Sequence, residues 1–306
     1  MTLPNLVIAG APKCGTSSLY RWLADHPQAF GSRPKETFYL MDAGHPLLRK
    51  GSNFHTRGLE GYAEFFDGCG GEARVRFEAT THYLYQRTAL EALSSLETRP
   101  QIIVMLRKPS ERVYSSFRYS QNNLANVRRA LTFARFVELS KENGSGDRAL
   151  LEEAAGASAY VLRNDIAYSR YVEYVAAWVE RMGRGRVHVL LFEDLKSNPR
   201  AFMKRVAERV GLDASFYDSY EFPVKNETFG VRYPSLHRGV RKLNELVPAV
   251  GLKDALRRVY VKAQSGKSEQ GRTAEDLRAL EELEREFRPF NRKLADALGL
   301  DLSAWE

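Results

Sequence analysis

Cysteine is scarce in this sequence, because only Cys14 and Cys69 occur among 306 residues. Two cysteines cannot supply the disulfide framework that stabilises small secreted domains, so the composition favours a reducing, cytoplasmic location. The six histidines are scattered, and no histidine and cysteine have the spacing of a zinc site. We therefore expect no bound metal.

Long apolar runs are also missing. No stretch reaches the roughly 18 apolar residues that a membrane-spanning helix needs. The start, MTLPNLVIAGAPK, has neither the basic segment nor the long apolar segment of a signal peptide. Repeats, low-complexity tracts and clear linkers are absent as well, so we predict one domain covering residues 1–306.

The net charge of +8 is consistent with an anionic partner. The basic residues are spread along the chain and are not interleaved with aromatic residues, so nucleic acid is not the partner that we expect. A non-enzymatic protein that binds nucleotides or nucleic acid is the alternative, and its affinity would fall steeply with salt.

Short apolar runs alternate with helical patterns. The segments NLVIAG (5–10), ARVRFEAT (73–80), QIIVMLR (101–107) and VHVLLFED (187–194) have the composition of buried strands. Between and after them, apolar residues recur at three- and four-residue spacing, as in SSLYRWLADHP and SNPRAFMKRVAERVGL. This alternation predicts a three-layer α/β fold, with a central, mostly parallel sheet and helices on both faces.

The segment GAPKCGTSS (10–18) lies between the first strand and the first helix. Gly10 and Gly15 have the spacing of a phosphate-binding P-loop, but Thr16 follows the second glycine, and the lysine stands inside the loop as Lys13. A strand-to-helix loop of this kind presents backbone N–H groups to an anion. The alternative is a tight turn in which Thr16 or Ser17 serves as the helix N-cap.

A second motif, LRKPSERVYSSF, begins at the end of the third predicted strand. Arg107 stands where a P-loop NTPase needs an acid near its Mg²⁺, and an arginine there suits a second anionic group. Ser115 can add a hydroxyl, and Ser110 is a plausible N-cap for the helix that follows. A kinase using ATP and Mg²⁺ stays open as the alternative, because FEDL offers Glu193 and Asp194 as metal ligands.

These motifs resemble those of sulfotransferases that use 3′-phosphoadenosine 5′-phosphosulfate (PAPS), most of all the carbohydrate and heparan sulfate branch. PKCGTSSLYRWLADHP is similar to their 5′-phosphosulfate loop, LRKPSERVYSSF to their 3′-phosphate motif, and YVEYVAAWVERMGRGRVHVLLFEDLKSNP to a later stretch. The resemblance implies a P-loop-like fold, a PAPS co-substrate and a cofactor site at Lys13, Cys14, Gly15, Thr16, Ser17, Ser18, Arg107 and Ser115. By position alone it adds Lys225, Arg232 and Arg238, in the late segment KNETFGVRYPSLHR.

The same resemblance implies where the acceptor is activated. KETFYL places Glu36 where the heparan-type enzymes have the base that takes the acceptor proton, and Lys13 would stabilise the developing charge. His82 is the competing base. A lysine common in these enzymes is replaced by Ala79. The residues expected to contact a small-molecule or carbohydrate acceptor are Lys35, Phe38, Glu78 and Tyr83.

Overall fold

The computed structural model describes the backbone and side chains of residues 1–142, 149–150, 152–223 and 271–306, and the backbone of residues 230–231 and 265–266. The chain forms two compact units. The first comprises Met1–Arg112, Ala167–Asn226 and Glu286–Glu306, and the second comprises Val113–Ile166 and Glu227–Arg285.

A five-stranded sheet forms the centre of the first unit. Its strands, in chain order, are β1 (Leu6–Gly10), β2 (Ala29–Gly31), β3 (Val75–Glu78), β4 (Gln101–Leu106) and β5 (Val187–Leu191). Their spatial order is β2-β3-β1-β4-β5, and each neighbouring pair is parallel. The predicted α/β fold with a parallel sheet is therefore confirmed. All of β1 and most of β4 are buried, as expected for strands covered on both faces.

Within the five-stranded sheet, β2 is the strand that the sequence pattern missed. It has three residues, Ala29–Gly31, and it pairs with β3 from Ala29 opposite Val75 to Gly31 opposite Phe77. A three-residue segment is too short to show the alternation or the apolar run that indicates a strand.

Helices lie between and after these strands along the chain. In chain order, those with complete bounds are α1 (Thr16–Ala24), α2 (Phe54–Ala63), α3 (Arg87–Ser95), α4 (Pro109–Arg118), α5 (Phe133–Leu139), α6 (Ala157–Tyr168), α7 (Val172–Met182), α8 (Phe192–Ser197), α9 (Pro199–Val210) and α10 (Ala274–Leu298). Over the described residues, no helix is both long enough and apolar enough to cross a lipid bilayer.

The local sequence explains how the predicted helices form. In α1, Leu19, Trp22 and Leu23 are buried on one face. Helix α9 starts with Pro199 after Asn198, whose side chain accepts a hydrogen bond from the Ala201 amide. These two helices lie where their patterns predict them.

Each unit has its own apolar interior. In the first unit Trp178 is 1% exposed, and its Nε1 donates a hydrogen bond to the Leu84 carbonyl at 3.0 Å. This bond ties α7 to the turn that follows β3. In the second unit, the rings of Phe117 and Phe136 stack with centroids 5.3 Å apart, and Phe133 packs beside both.

Candidate active site

The loop between β1 and α1 has the backbone shape of an anion-binding loop. Lys13 and Gly15 both have positive φ angles, of 69° and 82°. A Cβ atom on Gly15 would lie 2.7 Å from the Phe192 ring, so the position requires glycine for space as well as for backbone angle. Left-handed residues in a turn can direct neighbouring N–H groups toward one concave face, which suits an anionic ligand.

Gly15 is also the N-cap of α1, so the expectation that Thr16 or Ser17 caps the helix is corrected. No side chain caps this helix, and its first turn contains no acidic residue. The first N–H groups of a helix have no acceptor within the helix. Thr16 is buried, whereas Ser17 is exposed, and the Ser18 amide donates to the Gly15 carbonyl at 3.0 Å. The start of α1 therefore offers donors to a ligand rather than to its own side chains.

Cys14 points into the protein interior. Its side chain is fully buried, and its Sγ lies 3.6 Å from the Pro12 carbonyl oxygen and 3.8 Å from the Tyr171 hydroxyl. Burial raises the pKa of the Cys14 thiol to about 11, so the thiol stays protonated at neutral pH. The predicted role of Cys14 in holding a cofactor is therefore limited to its backbone.

Arg107 immediately follows β4, the strand that pairs with β1. Its Nη2 lies 3.1 Å from Glu111 Oε2, and its guanidinium lies 5.0 Å from the centroid of the Phe192 ring. The Arg107 side chain is 21% exposed, so it is held from two sides but still reaches solvent. Phe192 thus lies against both Gly15 and Arg107. No local pattern in the sequence predicts these contacts.

The turn after Arg107 differs from the predicted one in its cap. Helix α4 already begins at Pro109, so Ser110 stands in the first turn and is not the N-cap. The Lys108 amide donates to Glu193 Oε1 at 3.0 Å, which fixes the turn against the start of α8. Ser115 lies further along α4, in the second unit, and is partly exposed.

Glu36 stands in the loop after β2 with two partners on one oxygen. Its Oε1 accepts hydrogen bonds from Lys35 Nζ at 2.9 Å and from Thr81 Oγ1 at 3.1 Å. The carboxylate is 31% exposed and the Lys35 side chain 23% exposed, so both reach solvent. Lys35 Nζ also donates to the Ala79 carbonyl at 3.2 Å. Lys35 therefore brings a cation to the place where the sequence lacks the expected lysine.

Glu78 lies inside the core rather than on a pocket wall. It is fully buried, and its oxygens accept hydrogen bonds from Tyr62 Oη and Thr80 Oγ1, both at 2.5 Å, and from Thr37 Oγ1 at 3.2 Å. Burial raises the pKa of Glu78, against the lowering effect of these hydroxyl groups. The predicted acceptor contact of Glu78 is corrected to a structural role, because a fully buried carboxylate reaches no acceptor.

Tyr83 belongs to the same hydrogen-bonded network and is fully buried as well. Its hydroxyl accepts bonds from the amides of Tyr39 and Leu40, at 3.1 and 3.0 Å, and lies 2.8 Å from Thr37 Oγ1. The prediction that Tyr83 contacts the acceptor is corrected in the same way. Of the aromatic residues predicted to contact the acceptor, Phe38 alone is partly exposed.

His82 is enclosed by aromatic rings. It is 8% exposed, with its ring centroid 6.2 Å from that of Tyr85 and 6.5 Å from that of Tyr168. Burial lowers the pKa of His82 to about 4, so the ring is neutral at pH 7. Glu36 is more exposed than His82 and is the better placed of the two candidate bases.

The two acids that could hold Mg²⁺ in a kinase, Glu193 and Asp194, each contact another residue of the protein. Glu193 accepts the Lys108 amide, and Asp194 Oδ2 lies 3.7 Å from Arg205 Nη2. Within the described residues, no group of three or more metal-ligating side chains occurs. The remaining predicted site residues, Lys225, Arg232 and Arg238, lie outside the described residues.

Comparison with known proteins identifies the family. The sulfotransferase domain family matches residues 3–229, and the chain therefore belongs to that family. This membership favours sulfuryl transfer over the kinase alternative.

The curated relatives are longer proteins. The chain is 24% identical over 211 residues to human bifunctional heparan sulfate N-deacetylase/N-sulfotransferase 1, covering 68% of this chain and 22% of the relative. A Caenorhabditis elegans protein of the same description is 23% identical over 219 residues, covering 72% of this chain and 23% of the relative. The chain thus spans less than a quarter of the length of these relatives.

A solved structure supports the fold. The crystal structure of a sulfotransferase from Alicyclobacillus acidocaldarius matches with a TM-score of 0.67 and 22% identity, covering 100% of this chain and 99% of that one. The likeness extends over the whole chain and bears on the fold alone.

Proposed function

We propose that this protein transfers a sulfuryl group from PAPS to a hydroxyl or amine of a small-molecule or carbohydrate acceptor. The observation that carries the proposal is the pairing of two anion-binding features on neighbouring strands. The uncapped start of α1 follows β1, and Arg107 follows β4, while the Ala11 amide joins the two strand ends by donating to the Met105 carbonyl at 2.7 Å. A nucleotide with phosphate groups at two places fits such a pair.

The side chains at these strand ends match the charge of that donor. When bound, PAPS supplies an activated sulfuryl group on its 5′-phosphate and a second phosphate at the 3′ position. Lys13, the amides of Gly15 and Thr16, and the hydroxyls of Ser17 and Ser18 would hold the 5′ end. Arg107 and Ser115 would hold the 3′-phosphate, and Lys225 and Arg232 remain part of the proposed site. The set consists of cations and neutral donors, which requires no metal ion.

Glu36 is the base in this proposal. Its Oε2 makes no contact comparable to the two hydrogen bonds of Oε1 among the described residues, and the side chain is partly exposed, so the acceptor proton can be taken there. Lys35 and Phe38 face the acceptor, and the Lys35 ammonium holds the carboxylate in place. Lys13 stabilises the negative charge that develops on the departing nucleotide.

We also propose that the protein acts in the cytoplasm. Both cysteines of the chain are free, which suits the reducing cytoplasm. We propose that residues 1–306 act together as one sulfotransferase domain.

The test is a calorimetric titration of the purified protein with 3′,5′-adenosine diphosphate, without metal, and separately with ATP and Mg²⁺. We expect binding of the diphosphate without metal, and a loss of about 10- to 100-fold in affinity for Arg107→Ala, since a hydrogen bond to a charged group contributes about 1.5–3 kcal/mol.

The matched control is Arg87→Ala, which removes another arginine paired with a glutamate four residues later, but on an exposed surface. It should leave the affinity unchanged. Binding of ATP and Mg²⁺ with no binding of the diphosphate would contradict the proposed function.

A further inference from the structure

Tyr171 connects the two parts of the proposed donor site. It lies directly before α7 and is 1% exposed. Its hydroxyl donates a hydrogen bond to the Arg107 carbonyl oxygen at 2.9 Å, and the Tyr171 hydroxyl oxygen also lies 3.8 Å from Cys14 Sγ. One side chain therefore touches the loop after β1 and the residue after β4.

Two hydrogen atoms can be donated in these contacts, one from the Tyr171 hydroxyl and one from the Cys14 thiol. The tyrosine hydroxyl has one hydrogen, which goes to the Arg107 carbonyl. The Cys14 thiol has one hydrogen, and its possible acceptors are the Pro12 carbonyl and the Tyr171 oxygen. Burial raises the pKa of Tyr171 well above its usual value, so the hydroxyl keeps its proton throughout the physiological pH range.

A second set of contacts supports the same connection from α8. The Phe192 ring lies against Gly15 and under the Arg107 guanidinium, and Glu193 accepts the Lys108 amide. The loop and the turn are thus held by side chains from two separate elements. Of these, the Tyr171 hydroxyl makes the direct hydrogen bond to the Arg107 backbone.

We propose that Tyr171 is a positioning residue whose hydroxyl sets the spacing between the β1–α1 loop and Arg107, so that one nucleotide can contact both. The inference rests on the proposed function. Without the hydroxyl, the Arg107 carbonyl loses its buried partner, and one of the contacts that fix the turn carrying the guanidinium relative to the loop is removed. Ligands that contact both places should then lose affinity, while ligands that contact only the loop should not.

The experiment compares two probes on the variant Tyr171→Phe. Calorimetry gives the dissociation constants of 3′,5′-adenosine diphosphate and of adenosine 5′-monophosphate. The constant of the monophosphate divided by that of the diphosphate measures what the 3′-phosphate contributes to affinity. We expect this ratio to fall by about 10-fold in Tyr171→Phe, the size of effect of one hydrogen bond at the upper end of the usual range. The affinity for the monophosphate should stay within about two-fold of the wild-type value.

The matched control is Tyr217→Phe. Tyr217 is also fully buried, and its hydroxyl donates to a backbone carbonyl, that of Trp22, at 2.8 Å. This variant loses a bond of the same kind, but one that contacts neither the β1–α1 loop nor Arg107. It should lose similar thermal stability and keep the wild-type ratio, which separates positioning from a general loss of stability.

The outcomes separate the inference about Tyr171 from the proposed function. If the wild-type protein binds the diphosphate and Tyr171→Phe keeps the wild-type ratio, the inference about Tyr171 is overturned while the proposed function stands. If the wild-type protein does not bind the diphosphate, the proposed function fails and the inference fails with it. Should Tyr171→Phe not fold, Cys14→Ala breaks the same chain of contacts at its other end, and an unchanged ratio there overturns the inference.

Discussion

Replacing the buried Glu78 by glutamine should both destabilise the protein and slow its reaction. The carboxylate accepts hydrogen bonds from the hydroxyls of Tyr62, Thr37 and Thr80 and from the Thr80 amide at 3.2 Å. A carboxyl group keeps acceptor lone pairs on both oxygens whether or not it carries a proton, whereas the amide nitrogen of glutamine can only donate. In Glu78→Gln at least one buried donor therefore loses its acceptor.

The magnitude follows from the number of donors that face each oxygen. Oε2 faces the Thr80 hydroxyl and the Thr80 amide, Oε1 faces the Tyr62 hydroxyl, and the Thr37 hydroxyl lies 3.2 Å from both oxygens. Placing the new NH₂ group at either oxygen leaves one or two buried donors unsatisfied, each costing about 1–3 kcal/mol. We expect Glu78→Gln to lower the free energy of unfolding by about 2–5 kcal/mol.

The loss of unfolding free energy in Glu78→Gln should depend on pH, because burial shifts the pKa of Glu78. Because burial raises the pKa of Glu78 above 4.5, its contribution to stability is fully present below pH 4.5 and is lost as the pH rises through the folded-state pKa. Glutamine does not titrate. The difference in unfolding free energy between wild type and Glu78→Gln should therefore be largest below pH 4.5 and should narrow as the pH rises through the folded-state pKa.

The reaction should slow because the same network holds the segment that carries the proposed base. Thr37 directly follows Glu36, and its hydroxyl bonds to both Glu78 and Tyr83. We expect Glu78→Gln to lower kcat while leaving the affinity for 3′,5′-adenosine diphosphate unchanged. Urea unfolding at several pH values and steady-state kinetics test the two effects.

The control for the buried carboxylate is Glu91→Gln, at an exposed surface position that pairs with Arg87. It should change the unfolding free energy by less than about 0.5 kcal/mol. Wild-type stability and wild-type kcat in Glu78→Gln would refute the role that we assign to the network.

Two further predictions concern the proposed reaction and the donor loop. Glu36→Gln should lower kcat by about 10²- to 10⁴-fold, which is the usual contribution of a general base. His82→Asn should retain most of the activity, because the histidine ring is enclosed and weakly basic. Steady-state kinetics measure both variants, and a larger loss of kcat in His82→Asn than in Glu36→Gln would identify His82 as the base. Gly15→Ala should weaken binding of 3′,5′-adenosine diphosphate and destabilise the protein by about 1–3 kcal/mol, because its φ angle is positive and its Cβ would meet the Phe192 ring. Calorimetry and thermal unfolding measure both effects, and Gly70→Ala, where the new Cβ meets nothing within 4 Å, should behave as wild type.

The sequence allowed the strands and the donor loop to be predicted because their signals are local. Buried parallel strands appear as continuous apolar runs, and β1 and β4 lie where those runs are. The spacing of Gly10 and Gly15 between a strand and a helix predicted the loop, and both glycines are needed for space. A Cβ on Gly10 would lie 2.8 Å from Leu84 Cβ.

No local sequence pattern predicts the contacts that join distant segments of the chain. Tyr171 and Arg107 are far apart in the sequence, and nothing in the helical pattern around Tyr171 distinguishes a tyrosine that bonds a backbone carbonyl from one that only fills the core. The end of the chain shows a related limit. The charged pattern TAEDLRALEELEREF predicts a helix, but α10 continues beyond it, through Pro289 to Leu298. A proline inside a helix removes a backbone hydrogen bond and usually kinks or ends the helix, so the pattern does not predict this continuation.

Three glutamates show why residue type alone cannot assign roles at this site. Glu36, Glu78 and Glu193 each lie in or beside a motif that suggests chemistry. Glu78 faces hydroxyl donors in a dry interior, which makes it structural, and Glu193 accepts a backbone amide, which makes it the support of a turn. Of the three, Glu36 combines an ammonium partner with exposure to solvent, so an incoming molecule can reach its carboxylate. The surroundings of each carboxylate, and not its position in a motif, therefore determine which of the three can act as a base.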